Sequence, residues 1–166
     1  MNSIFRRRSI RRYKEQEVSD EQIKKLLEAA MSAPSAGNER PWHFIVVKDK
    51  ITLDKLSQTH RNAAMIKNAS AAIVVCGDLN LEVKKDMWVQ DCSAATENIL
   101  IEVEELGLGA VWVAVYPREE RVKYVKDIFD LPKNIIPLCI IPVGYPDEKF
   151  EITNRYDEKR VHNEKW

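Results

Sequence analysis

The sequence predicts a single domain of α/β or α+β class, and three observations carry that prediction. Apolar residues recur at helical spacing in three segments, short runs rich in β-branched and aromatic residues lie between them, and no linker or repeat divides the chain. At 166 residues the chain has the size of one domain with one sizeable core, so residues 1–166 read as one unit. A composition of 45% hydrophobic and 31% charged residues excludes a disordered chain, which would lack the apolar material to offset its conformational entropy.

The first predicted helix begins at Ser19. Ser19 and Gln22 form a Ser-x-x-Gln capping pattern, and Ile23, Leu26, Leu27, Ala30 and Met31 follow at helical spacing. Ala33-Pro34-Ser35-Ala36-Gly37-Asn38 stops it, because proline and glycine favour a loop over continued helix. Strands are predicted over Trp42–Val47, Ala72–Cys76, Val111–Tyr116 and Leu138–Val143. A long helix from about Asp86 to Leu106 is apolar almost all round, so its own chain or a partner subunit must cover it on most sides. Gly107 supplies its stop. Another helix spans about Arg118 to Phe129, with Val122, Val125, Ile128 and Phe129 inward and Leu131-Pro132 ending it. After Gly144-Tyr145-Pro146 the chain turns polar. Over about 147–166 the scattered anchors Phe150, Ile152, Tyr156, Val161 and Trp166 suit a tail that wraps a neighbour.

Lys plus Arg and Asp plus Glu both number 26, so global charge gives no reason to expect nucleic acid or a membrane surface as partner. Cys76, Cys92 and Cys139 lie far apart without C-x-x-C spacing, which favours a reducing, cytoplasmic setting. The first fifteen residues are charged, and the longest apolar runs are too short to span a bilayer. His43, His60 and His162 show no metal-ligand spacing and read as structural or surface residues.

Charge is nevertheless concentrated at one place. Arg6-Arg7-Arg8-Ser9-Ile10-Arg11-Arg12-Tyr13-Lys14 puts six cations in nine positions. A dianionic phosphate suits that density, since arginine holds phosphate bidentately and a serine hydroxyl adds a donor. The alternative is a solvated arm, or a non-catalytic module that binds anions or nucleic acid. The interleaved Ile4, Phe5, Ile10 and Tyr13 favour a folded segment. Gly107-x-Gly109 follows a helix rather than a strand and lacks a third glycine, and there is neither a Walker A pattern nor a G-x-S-x-G elbow. With no protein nucleophile or acid/base pair in view, catalysis would have to come from a cofactor.

Four separated segments resemble the nitroreductase family: Arg7-Arg8-Ser9-Ile10-Arg11, Ala33-Pro34-Ser35-Ala36-Gly37-Asn38-x-Arg40-Pro41-Trp42, Gln90-Asp91-Cys92-Ser93-Ala94-Ala95 and Gly107-Leu108-Gly109-Ala110-Val111-Trp112. Ile141-Pro142-Val143-Gly144-Tyr145-Pro146 and Arg155 complete a match over nearly the entire chain. The resemblance implies an α+β fold with a mixed, mostly antiparallel sheet flanked by helices, an intertwined homodimer, and FMN in clefts formed by both subunits. It implies that Arg7, Ser9 and Arg155 hold the FMN phosphate and that Arg8 contacts the phosphate or ribityl chain. Arg11 would face the pyrimidine edge as electrostatic support for the reduced flavin. Pro34, Ser35, Ala36 and Asn38 would come from the other subunit, and Ala114 and Val115 would offer a backbone N–H to flavin N5.

Two residues depart from the family pattern. Arg40 stands where glutamine is common and Ala114 where glycine is common, and both bear on the substrate space. Lys159 and Arg160 compete with Arg155 as the tail's phosphate ligand. The implied activity is a ping-pong transfer of two electrons from NADH or NADPH, through the flavin, to a nitroaromatic, quinone or similar acceptor. Enzymes of this fold with dehalogenase or flavin-fragmenting chemistry are the alternative.

Overall fold

Ser19 starts α2 (Asp20–Met31) as its spacing predicts: its hydroxyl accepts from the Gln22 N–H at 3.2 Å while Gln22 Oε1 accepts from the Ser19 N–H at 3.0 Å. In this computed structural model residues 2–152 and 154–166 are described. A short α1 (Ser3–Arg6) precedes α2. After the loop come β1 (Trp42–Val47), α3 (Lys50–Ser57), a 3₁₀ stretch over Arg61–Asn68 and β2 (Ala71–Asp78). They are followed by α4 (Trp88–Glu105), β3 (Gly109–Ala110), β4 (Val113–Ala114), α5 (Glu119–Phe129) and β5 (Ile135–Gly144).

The fold is α+β. The sheet runs β1-β2-β5-β3, with β4 also on β5, and every strand pair is antiparallel. β2 lies at its centre and is buried on both faces, so its side chains alternate between two cores. Ala71, Ile73 and Val75 pack toward residues of α2 and α4, including Leu26, Cys92 and Ile99. Ala72, Val74 and Cys76 face Leu53 and Leu56 of α3, Ile66 of the 3₁₀ stretch and Val125 of α5. Each valine, leucine or isoleucine among them, fully enclosed, stabilises the fold by roughly 1.5–3 kcal/mol.

α4 finds most of its cover in its own chain. Trp88, Asp91, Cys92, Ala95, Thr96, Ile99, Leu100 and Val103 are buried, and Gly107, at φ +69°, supplies the left-handed stop. The three thiols are buried and unpaired, and burial pushes those of Cys76 and Cys139 up to about 12.

Three expectations need correction. Of the strand predicted over Val111–Tyr116 only Val113–Ala114 forms, as β4, and a separate first half, β3, lies ahead of it at Gly109–Ala110. Both halves pair with β5 in one register, and continuing that register sets Val111 opposite Pro142, which has no N–H to carry the ladder across. α5 ends at Phe129, where Asp130 adopts a left-handed conformation at φ 49°, ahead of Leu131-Pro132. Of the apolar residues interleaved in the basic arm, Ile10 is buried and Tyr13 half-buried, whereas Ile4 and Phe5 are exposed. Among the described residues no helix is long and apolar enough to cross a membrane.

Candidate active site

The basic arm is held against the sheet by its own backbone. Ser9 forms a parallel bridge with Ala110, and the Ile10 N–H donates to the Ala110 carbonyl at 2.8 Å. So close an approach requires glycine at 109, where a Cβ would lie 2.7 Å from Ile10 Cγ2. Tyr13 lies over Gly144 in the same way, and its hydroxyl donates to the Ile10 carbonyl at 2.7 Å. Burial holds that phenol above its usual range. Glu148 clasps the arm between these points, accepting from the Arg11 N–H at 2.5 Å and the Arg12 N–H at 3.2 Å. Those two donors, Arg11 first, hold its carboxyl below the usual range.

Docked there, the arm borders a cleft of about 490 Å³ whose walls include Arg11, His60, Asn62, Ala114 and Arg121. Arg121 Nη1 donates to the Ala114 carbonyl at 3.0 Å, which fixes the strand edge. Main-chain groups alternate in direction along a strand, and the Val115 N–H is already bonded to Leu138 O of β5 at 3.1 Å. Ala114 therefore turns its N–H off the open edge, on the side of its Arg121-bound carbonyl. The Ala114 N–H is thus directed away from β5, whereas Val115 is fully buried with its N–H bonded to β5.

His60 caps the 3₁₀ stretch, its Nδ1 accepting from the Asn62 N–H at 3.2 Å. Burial first and the Arg121 charge second hold its pKa below the usual range, so the ring is neutral and its proton sits on Nε2. That Nε2 is enclosed without a hydrogen-bond partner among the described residues. Sequence reasoning missed His60, Asn62 and Arg121. His60-x-Asn62 is a local capping signal that could have been found, whereas nothing local marks Arg121.

The other predicted residues fall into two groups. Upstream in the arm, Arg7 Nε pairs with Glu97 of α4 at 3.3 Å, and the Ser9 side chain is exposed. Arg8 donates to the Phe5 and Arg7 carbonyls at 3.1 and 2.8 Å and reaches the tail, at the Glu151 carbonyl and 5.7 Å over the Phe150 ring. Farther along the tail Arg155, Lys159 and Arg160 are exposed, and Arg160 pairs with Asp157 at 3.1 Å.

Pro34, Ser35, Ala36 and Asn38 form the second group, and none of them lines this cleft. Their loop is braced internally. Ser35 Oγ accepts from the Arg40 N–H at 3.0 Å, and Asn38 Oδ1 accepts from Arg40 Nε at 2.9 Å. Arg40, one of the two departing residues, thus folds back onto the loop rather than into the cleft. Pro34, Gly37 and Asn38 are exposed. Chemically, the cleft offers three guanidinium groups, those of Arg11, Arg61 and Arg121, a strand edge with a free direction and a neutral ring donor, within the usual size of a small-ligand site. Such a set suits a planar, hydrogen-bonding ring that gains negative charge.

Comparison with known proteins gives the same direction. The family model described as "Nitroreductase family" matches residues 4–88 and 54–145. A protein of Archaeoglobus fulgidus, provisionally named an NADH dehydrogenase/NAD(P)H nitroreductase, is 53% identical over 100% of this chain and 98% of its own. The crystal structure of a provisionally named NADH oxidase from Clostridium acetobutylicum superposes with a TM-score of 0.97 at 49% identity, covering 99% of this chain and 100% of that one. An FMN-dependent nitroreductase from Clostridium difficile gives 0.93 at 38% identity, covering 99% of each chain.

Proposed function

The chain belongs to the nitroreductase family, and from that premise we propose that it is an FMN-dependent NAD(P)H oxidoreductase, acting as a cytoplasmic homodimer whose two subunits complete each flavin site. When bound, FMN supplies two-electron redox chemistry between NADH or NADPH and a nitroaromatic, quinone or similar acceptor, in ping-pong order. The residues present fit that group. Arg11 and Arg121 bring positive charge to a cleft of suitable volume, Ala114 turns its main-chain donor off the sheet edge, and His60 keeps an unanswered N–H in the wall.

Arg7, Arg8 and Ser9 are the residues to hold the phosphate, with Arg155 from the tail. Arg7 would exchange Glu97 for phosphate, giving up an ion pair at a half-exposed glutamate for a dianion held bidentately. Arg11 stabilises the negative charge that reduction places on the pyrimidine edge, an effect that is larger where water is excluded. The loop bearing Pro34, Ser35, Ala36 and Asn38 is the part that excludes it. This loop closes on the flavin of the partner subunit, and the Asn38 amide supplies a hydrogen bond to the ring.

One observation carries the reading: Arg11 and Ala114, far apart in sequence, share one cleft while the loop lies outside it. The test is spectroscopic. Purified protein should be yellow, NADH or NADPH should bleach it without oxygen, and a nitroaromatic or quinone should restore the colour after the pyridine nucleotide has been removed. A colourless protein that takes up no added FMN overturns the reading. Sedimentation of the flavin-bound protein should show a dimer, and a stable flavin-bound monomer overturns the shared site.

A further inference from the structure

The feature of α4 that packing does not explain is Asp91. It is 5% exposed, in the first turn of an otherwise largely apolar buried face. One carboxylate oxygen accepts from the Ala36 N–H at 2.9 Å, and the other is enclosed without a hydrogen-bond partner among the described residues. Enclosing a half-satisfied carboxylate weakens a fold, and the helix N-terminus offsets only part of the penalty. What this carboxylate does is hold a loop from a distant part of the chain.

That loop is the flavin-closing segment of the reading above, on which this inference rests. Its Ser35 and Asn38 side chains are both tied to Arg40, so Ser35 to Arg40 forms one braced unit. Its backbone passes through left-handed conformations at Gly37, Asn38 and Arg40, with φ of 57°, 59° and 50°. A braced unit needs few tethers to be positioned. Glu39 supplies one on the outer side, accepting from the Val83 and Lys84 N–H groups. Asp91 supplies the inner one, a charge-assisted bond from the 18-residue, largely buried α4.

We propose that Asp91 is a positioning residue for flavin. By fixing the Ala36 amide it sets the height at which the loop meets the cofactor of the partner subunit, and it is retained at a cost in stability. Removing it should therefore harm flavin binding more than folding.

Two variants cut the bond from opposite ends. Asp91→Ala removes the acceptor. Ala36→Pro removes the donor at the first position of a helical turn after Ser35, a place that proline tolerates. Asp91→Asn keeps an oxygen for Ala36 and discharges the site. The measurements are FMN titration of the apoprotein, followed by flavin fluorescence, and thermal melting of the same samples.

Asp91→Ala and Ala36→Pro should each weaken FMN binding about tenfold or more, the size expected for losing one charge-assisted hydrogen bond. The double variant should lose no more than either single one. Asp91→Asn should bind FMN within about twofold of the wild type and melt no lower than it, since a buried charge has gone. Wild-type affinity in Asp91→Ala or in Ala36→Pro overturns the inference. So does a loss of flavin that only follows a fall in melting temperature shared by Asp91→Asn, which is the mark of a purely structural group. Should Asp91→Ala fail to fold, Ala36→Pro against Asp91→Asn decides alone. A wild-type protein that takes up no FMN overturns the flavin reading itself, and the inference with it.

Discussion

The basic arm and the C-terminal tail are both charged and both lie outside the sheet, yet the chain treats them differently. The arm is fastened to its own subunit at Ala110, at Gly109 and Gly144 through close packing, and at Glu148. Among the described residues the tail is fastened near its start, where Asp147 and Glu148 bond to Arg11 and Arg12 and where Arg8 meets Phe150 and Glu151. Beyond that its apolar residues are exposed: Tyr156 is 71% exposed, and Trp166, though stacked on His162, is fully so. Exposed aromatic and aliphatic side chains in series are what a subunit interface leaves behind when one copy is viewed alone. An arm built within one subunit can bind a phosphate with its own residues, whereas in the proposed dimer a tail of exposed anchors would be covered by the second copy.

That contrast is broken most severely by removing the tail. Ending the chain after Pro146 should turn the sedimenting species from dimer to monomer and abolish FMN retention, and a yellow dimer without residues 147–166 would defeat the wrapping tail. Next in size is Gly109→Val, which drives a side chain into Ile10. Overpacking of this kind costs about 1–3 kcal/mol, so the arm should undock, with a lower melting temperature and about 10–100-fold weaker FMN binding by titration. A smaller effect separates neighbouring arginines. Arg7→Ala should weaken FMN about tenfold, whereas Arg12→Ala should leave it nearly unchanged, because the pairing of Arg12 with Glu148 at 3.6 Å is a surface contact. Equal losses in the two variants would mean that the arm acts by charge alone.

The smallest effect is pH-dependent. The folded-state pKa of Glu148 is lowered, so its clasp on the arm is complete above the ordinary glutamate value of 4.5 and is lost as pH falls through the lower folded value. Glu148→Gln should therefore melt below the wild type at neutral pH, by a gap that closes as pH falls below about 4.5. A gap that stays constant across that range would assign the clasp to shape rather than charge.

Much of the fold was legible because its signals are local. The Ser19–Gln22 box, the glycine stop after α4 and the span of β1 depend on residues within a turn or two of one another. Periodicity likewise recovered the central strands, although β2 and β5 run longer than the apolar runs that marked them. The candidate site was legible in part. Arg11 and Ala114 do meet in one cleft, while Arg7 faces Glu97, Val115 has committed its N–H to β5, and His60 and Arg121 went unnoticed. Those are facts of pairing between distant residues.

By itself the sequence determined where α2 begins and stops and where α4 stops, which apolar runs become the central strands, and that positive charge is concentrated in one short arm. These follow from backbone capping, side-chain period and charge density, each of which acts over a few residues. Only the tertiary structure decided that Pro142 would interrupt the strand opposite it, that a buried carboxylate on α4 would hold the loop at Ala36, and that Arg121 would grip the edge of the cleft. Each of these depends on which segments are brought side by side, and that choice is made by packing and hydrogen-bond satisfaction over the whole chain.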